Sequence, residues 1–375
     1  MDYETLRLIW WLLLGALLIG YAVMDGFDLG VATLLPFIAK NDVERRMMIN
    51  SIGPFWEGNQ VWLILGGGAI FAAWPYVYAM SFSGFYIAMF LILLALILRP
   101  VAFKYRSKRE SFGWRNGWDW VHFVTGLLPA LLAGVAVGNV ILGVPFHFDR
   151  ETLHPFYTGS FFGLLRPFAL LIGLISLAML IRHGALYTAL KVDEPVADRA
   201  VAVASVASWV MIILFIVASI WVYFIKGYVI TSDINHNGYS NPTNKTVIMQ
   251  QGAWFANYMN HPWKFIAPIL AIVCSFASVI VAKKAAYGKA FILSSVSIFG
   301  VVSTAGLGMF PFIMPSISNP SVSLTVWDAS SSMLTLKLML VITLILLPIV
   351  LIYTIWVYVK LRGKIMATMF NDNEA

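Results

Sequence analysis

Long apolar runs separated by short polar bends fill this chain from end to end. A bilayer-spanning helix needs about 20 predominantly apolar residues. Nine runs meet that need, near 6–30, 59–78, 80–102, 118–142, 161–182, 200–225, 264–282, 290–313 and 334–359. The expected fold class is an all-α integral membrane protein of about nine transmembrane helices, forming one polytopic domain over residues 1–375. The first run has an ambiguous end, because 29–38 stays apolar beyond Asp28. Either that helix is long and tilted, or its tail lies in the membrane interface. Pro129, Pro167, Pro268, Pro311 and Pro348 fall within or at the edges of spans, where a missing N–H kinks a helix. Gly66–Gly68 is not followed by the Lys-Ser/Thr of a phosphate loop, so it is expected to permit close helix packing instead.

Composition agrees with the pattern. Hydrophobic residues make up 60% and charged residues 11% of the 375 positions, and the mean hydropathy is +0.82. These values exclude an ordinary soluble domain. The net charge of +7 is explained by where the cations lie and not by nucleic-acid binding. With the N-terminus outside, the segments 39–58, 103–117, 182–199, 283–289 and 360–375 face inward, and they hold 17 of the 25 Lys and Arg. The positive-inside rule then predicts an external N-terminus, an internal C-terminus and an odd number of spans. The longer outer loops, 143–160 and 226–263, are too short for a separate domain, and a third outer stretch carries its own acid, Asp328. The first run lacks a small-residue cleavage site and is expected to stay as a helix. The single cysteine, Cys274, excludes an intrachain disulfide and cysteine-based metal ligation by this chain alone.

The candidate chemistry lies between Tyr21 and Trp62. Asp25, Asp28 and Glu57 stand inside otherwise apolar and aromatic sequence. Carboxylates are costly in hydrocarbon and normally face a protein interior or a wet cavity. Asp25 and Asp28, three apart, are expected on one helix face, and Glu57 and Gln60 repeat that spacing. Pairing with an arginine or capping a helix is the bland alternative for each acid. A buried Glu57 is expected to have its pKa raised by desolvation, toward the range useful for proton transfer.

Other chemistry is sparse. Membrane redox work usually needs haem with axial His or Met ligands. Of six histidines, His147, His154, His236 and His261 fall in or beside outer loops, and His122 and His183 lie near inner ends of spans. No two are placed for a bis-histidine haem. The chain thus reads as one subunit of something larger, or as an ion transporter.

Sequence blocks favour the first reading. DGFDLG at 25–30, NDVERRMMINSIGPFWEGNQVWL at 41–63, GGGAIFAAWP at 66–75, LRPVAFKYRSK at 98–108, WRNGWDW at 114–120, VGNVILGVPF at 137–146, FPFIMPS at 310–316 and SLTVWDASSS at 323–332 span nearly the whole chain. Together they closely resemble subunit II of the cytochrome bd-type ubiquinol oxidases. The resemblance implies two four-helix bundles plus one peripheral helix, packed against a similarly built subunit I. It implies that subunit I binds quinol and carries the haems, two b and one d. The pair would oxidise ubiquinol or menaquinol and reduce O2 to water with cytoplasmic protons, building proton motive force at the bacterial inner membrane. For this subunit the resemblance implies stabilisation of the complex and part of the proton and O2 routes. Glu57 stands at the position similar to the family's proton-path acid, Asp25 and Asp28 match its DGFD pair, and Trp62 matches the tryptophan of its O2 entrance. Lys104 departs from the acid that close relatives carry after LRPVAF, at the inner mouth of the proton route. A bound quinone and a small single-helix accessory subunit occur in some members. The contrasting reading, a cation or proton antiporter built on the same three acids, would require paired interrupted helices in two halves, and none is visible.

Overall fold

The computed structural model describes residues 1–149 and 151–371. The first helix, α1 (Tyr3–Ile38), has 36 residues. At 1.5 Å per residue it is roughly 54 Å long, far beyond a hydrocarbon core of about 30 Å. The apolar tail past Asp28 is therefore helix. Residues 29–35 are all buried, covered by the chain's own helices. One is α2 (Asp42–Ile52), whose start is capped reciprocally. Asn41 Oδ1 accepts from Glu44 N–H at 2.9 Å, and Glu44 Oε2 accepts from Lys40 N–H at 2.7 Å. Such an exchange satisfies donors that a helix start leaves free.

The expected span at 59–78 is corrected. Helix α3 (Trp56–Ala73) stops at Trp74 because Pro75 cannot donate into the ladder and instead begins α4 (Pro75–Gly84). The expected span at 80–102 is likewise α5 (Tyr86–Tyr105), starting later because α4 takes the first residues. Then come α6 (Phe112–Leu142), α7 (Pro167–Lys191), α8 (Val196–Phe224), α9 (Ala253–Asn260), α10 (Ile266–Lys283), α11 (Tyr287–Met309), α12 (Met333–Lys360) and α13 (Thr368–Asn371). Among the described residues, eight helices are long and apolar enough to cross a membrane. The expected span outside that group is α3, only 18 residues long and polar in its first turn. Pro129 and Pro348 lie inside helices, whereas Pro167 starts α7 and Pro311 follows α11.

Helices α1, α3, α5 and α6 pack as one group, and α7, α8, α10 and α11 close a second. Helix α1 joins them by touching α7 and α11 as well. Helix α12 runs outside, against α1 and α3, with only Leu336 and Leu340 buried. The seam between the groups needs glycine. A Cβ on Gly30 would sit 2.1 Å from Leu180 O, and one on Gly184 2.5 Å from Gly30 C. Within this chain Gly66–Gly68 form no close helix crossing: Gly67 and Gly68 meet nothing within 4 Å, and Gly66 meets only Leu18 Cδ2 at 3.9 Å.

Three antiparallel hairpins cap the end where α1 begins. They pair β1 (Phe146–Phe148) with β2 (Pro155–Tyr157), β3 (Lys226–Ile230) with β4 (Val247–Gln251), and β5 (Phe312–Met314) with β6 (Leu324–Thr325). Buried Arg7 ties α1 to this cap, donating to Ser330 Oγ at 2.8 Å and to Gly238 O at 3.0 Å. Asp328 is paired there with buried Lys245 at 2.6 Å. Burial lowers the lysine's affinity for its proton below the usual amine range, and the carboxylate partly offsets this. The opposite end carries the basic bends.

Candidate functional site

The acids of α1, three residues apart, share one buried face, but each has its own hydrogen-bond partners. Asp25 is fully buried and is held by Arg99 of α5, with Nη1–Oδ1 at 2.6 Å and Nη2–Oδ2 at 3.5 Å. Asp28 Oδ2 accepts from Asn59 Nδ2 of α3 at 2.7 Å. Asn59 Oδ1 in turn accepts from Tyr358 OH of α12 at 2.7 Å. Asp28 Oδ1 has no partner among the described residues. Four helices thus converge on two buried carboxylates and one guanidinium. Removing such charges from water is expensive unless they are paired and hydrogen-bonded, and one carboxylate oxygen is left for a proton or a water.

Glu57 is the main correction. It lies on the outer surface of α3, exposed in the isolated chain, and not with Asp25 and Asp28. Its neighbour two residues on, Asn59, turns inward instead. The expected burial of Glu57 is therefore not supplied by this chain's own packing. Trp62 is half-buried and lies flat on α1: a Cβ on Gly20 would come within 2.4 Å of its ring. Lys104 is exposed at the basic end of α5.

Below the acids, toward the basic end, lies a second charged layer. Asp119 of α6 binds Arg106 at 2.5 Å and Arg45 at 2.7 Å. Asp42, partly exposed, binds Arg106 at 2.9 Å and Arg115 at 2.7 Å. Sequence reading passed over Arg99, Asn59, Tyr358 and Asp119 as site residues. Arg99 carried a signal, being a cation inside an apolar run; Tyr358 carried none.

The buried histidines do not fit a pair of haem ligands. His183 uses both ring nitrogens, on Ser294 Oγ and Val23 O, each at 3.0 Å. His122 packs its ring edge-on to Phe103, centroids 4.8 Å apart. No step through haem is assigned to this chain. An apolar groove of about 550 Å³ runs between α7 and α8, lined by Leu174, Ile181, Val206 and Val210 among others.

The fold and this site define a polytopic α-helical membrane protein whose intramembrane ion pair is held wholly between its own helices. The chain belongs to a specific family: residues 6–361 match cytochrome bd terminal oxidase subunit II. It is 52% identical over 373 residues to the "Probable cytochrome oxidase subunit 2" of Haemophilus influenzae, covering 100% of this chain and 98% of that protein. It is 50% identical to the cytochrome bd-I ubiquinol oxidase subunit 2 of Escherichia coli over 365 residues, covering 97% and 96%. A solved bd oxidase structure from Geobacillus thermodenitrificans shares the fold, with a TM-score of 0.69 at 15% identity, covering 96% of this chain and 100% of that one. The protein is thus a subunit of a membrane oxidoreductase complex.

Proposed function

We propose that this chain serves as the non-haem half of a quinol oxidase, stabilising a haem-bearing subunit I and conducting protons toward it. Subunit I carries haems b and d, oxidises ubiquinol or menaquinol and reduces O2 to water. The protons come from the cytoplasm, so turnover generates proton motive force across the bacterial inner membrane. The N-terminus is periplasmic and the C-terminus cytoplasmic, which sets the basic bends inside. The observation that carries the proton role is the buried Asp25–Arg99–Asp28 cluster, in which Asp28 Oδ1 has no partner among the described residues. Glu57, on the outer face of α3, serves this route from the subunit boundary, where a partner would desolvate it. Lys104 is a member of the positive loop and not a relay. Trp62 borders an O2 path between α1 and α3. The α7–α8 groove suits the isoprenoid tail of a bound quinone, and a small single-helix subunit completes the assembly. A cation antiporter is disfavoured because Arg99 already neutralises Asp25.

Glu57→Gln tests the proposal. It keeps size and hydrogen bonding but cannot carry a proton, so the complex should assemble with its haems and lose most quinol-oxidase turnover. Glu57→Asp should keep much of it, and Lys104→Ala should be nearly normal. Full turnover in Glu57→Gln would return the proton route to subunit I alone.

A further inference from the structure

His122 of α6 is buried at 1% exposure, and its Nε2 has no hydrogen-bond partner among the described residues. Buried ring nitrogens are nearly always satisfied, so an orphan calls for a water or a function. Its position is specific. Asp119, one turn earlier on the same helix, belongs to the charged layer that opens to solvent through Asp42 and Arg45. Four residues farther into the bundle, Gly126 touches α1: a Cβ there would come within 2.4 Å of Leu29 O. On the facing helix, Phe103 packs on the imidazole between Arg106, which binds Asp119, and Arg99, which binds Asp25. Seven residues separate the two arginines, roughly 10 Å of helix rise. A proton passing between layers set that far apart along the backbone moves by way of intermediate side chains or waters, because transfer needs groups within hydrogen-bond reach or one water apart.

We infer that His122 is a proton-relay residue joining the solvent-facing Asp42–Arg106–Asp119 layer to the buried Asp25–Asp28 cluster. The inference deepens the proposed proton role of this subunit and rests on it. The imidazole takes a proton at Nε2 from water on one side. The Nδ1 proton then leaves to water on the other side, so the ring ends neutral in the opposite tautomer and a ring rotation restores the first, with no electron moved. Arg106 and Arg99 flank the Phe103 that packs on its ring. Each is already bound to a carboxylate, Asp119 and Asp25. The same position would explain why an exposed lysine at 104 is tolerated: the route inward passes through α6 and not through Lys104.

The test uses the two-subunit complex in mild detergent, fully reduced and mixed with O2. Proton uptake is followed by a pH-indicator dye and electron transfer by haem absorbance. His122→Gln and His122→Phe should each slow uptake by at least about tenfold, the low end for loss of a proton-transfer group. The first electron-transfer phases and the haem spectrum should be unchanged. Asp28→Asn is run in parallel to test the underlying proton role. Unchanged uptake in both His122 variants, with uptake blocked in Asp28→Asn, would overturn the relay and leave the proton role standing. Unchanged uptake in Asp28→Asn as well would remove both. Equal slowing of the electron and proton phases would mark structural damage and overturn the relay. So would failure of both His122 variants to assemble with haem.

Discussion

The charge inventory around Asp25 predicts an asymmetry that a simple ion-pair view does not. Arg99 is 2% exposed, Asp25 is fully buried and Asp28 is 1% exposed, so none of the three can borrow much stabilisation from water. Asp25 binds Arg99 directly, while Asp28 binds Asn59 and lies close enough to act on the same guanidinium. In Arg99→Met two carboxylates remain with no cation. Breaking a buried pair from one side costs about 3–5 kcal/mol, and two adjacent acids place the variant at the upper end. In Asp25→Leu one carboxylate and one guanidinium remain, a balanced set, so the cost should be near or below about 3 kcal/mol. The double variant Asp25→Leu/Arg99→Met removes the pair but leaves the buried Asp28 carboxyl with no cation, so it should fall between the two single variants. Reversible unfolding of the complex in mixed micelles, followed by helical circular dichroism, reads all four corners of this cycle. The reasoning fails if Arg99→Met costs under about 1 kcal/mol, or if Asp25→Leu proves the more damaging of the two.

Three further outcomes are expected. Gly30→Ala would place its methyl 2.1 Å from Leu180 O, a backbone atom that cannot step aside, so assembly should be lost; Gly68→Ala, with nothing within 4 Å, should be neutral or slightly stabilising. Equal expression and haem content of the two variants would refute this. Trp62→Ala should cost about 2–3 kcal/mol, less than the roughly 3–5 for a fully buried tryptophan, because Trp62 is half-buried on Gly20; Trp62→Phe should lose less while the apparent O2 affinity shifts in the same order. Unchanged stability in Trp62→Ala would deny the packing role, and unchanged oxygen kinetics in a stable variant would deny the path. In the β1–β2 loop, Asp149 Oδ1 accepts from Glu151 N–H at 3.0 Å, Thr152 N–H at 2.8 Å and Thr152 Oγ1 at 2.9 Å, which hold its carboxyl below the ordinary 3.8. An acid depressed in this way favours the ordered turn above its ordinary pKa and loses that contribution as pH falls through the lower value. A carbon-13 titration of labelled aspartate should therefore place its midpoint under 3.8, and a midpoint at or above that would refute the turn.

Sequence by itself determined the membrane class, the rough places of most of the long apolar helices and the clustering of cations in certain bends, because apolar run length and Lys/Arg placement are local properties. Even the tail of α1 was legible as one of two outcomes. What sequence could not decide was which way a side chain points on a helix that is apolar all round. An amphipathic stripe gives a soluble helix its inner face, but beyond Gln60 α3 is apolar or glycine all round. Glu57 and Asn59, two residues apart, consequently take opposite directions, and no pattern in the chain distinguishes them. Partner choice was equally hidden. Asp25 and Arg99 are separated by 74 positions, and Asn59 and Tyr358 by 299. The three glycines in a row at Gly66–Gly68 looked like the packing seam, yet the seam falls at Gly30 and Gly184. Close approach is set by where two helices cross, and that crossing is a property of the assembled bundles, in which α1 must serve both at once.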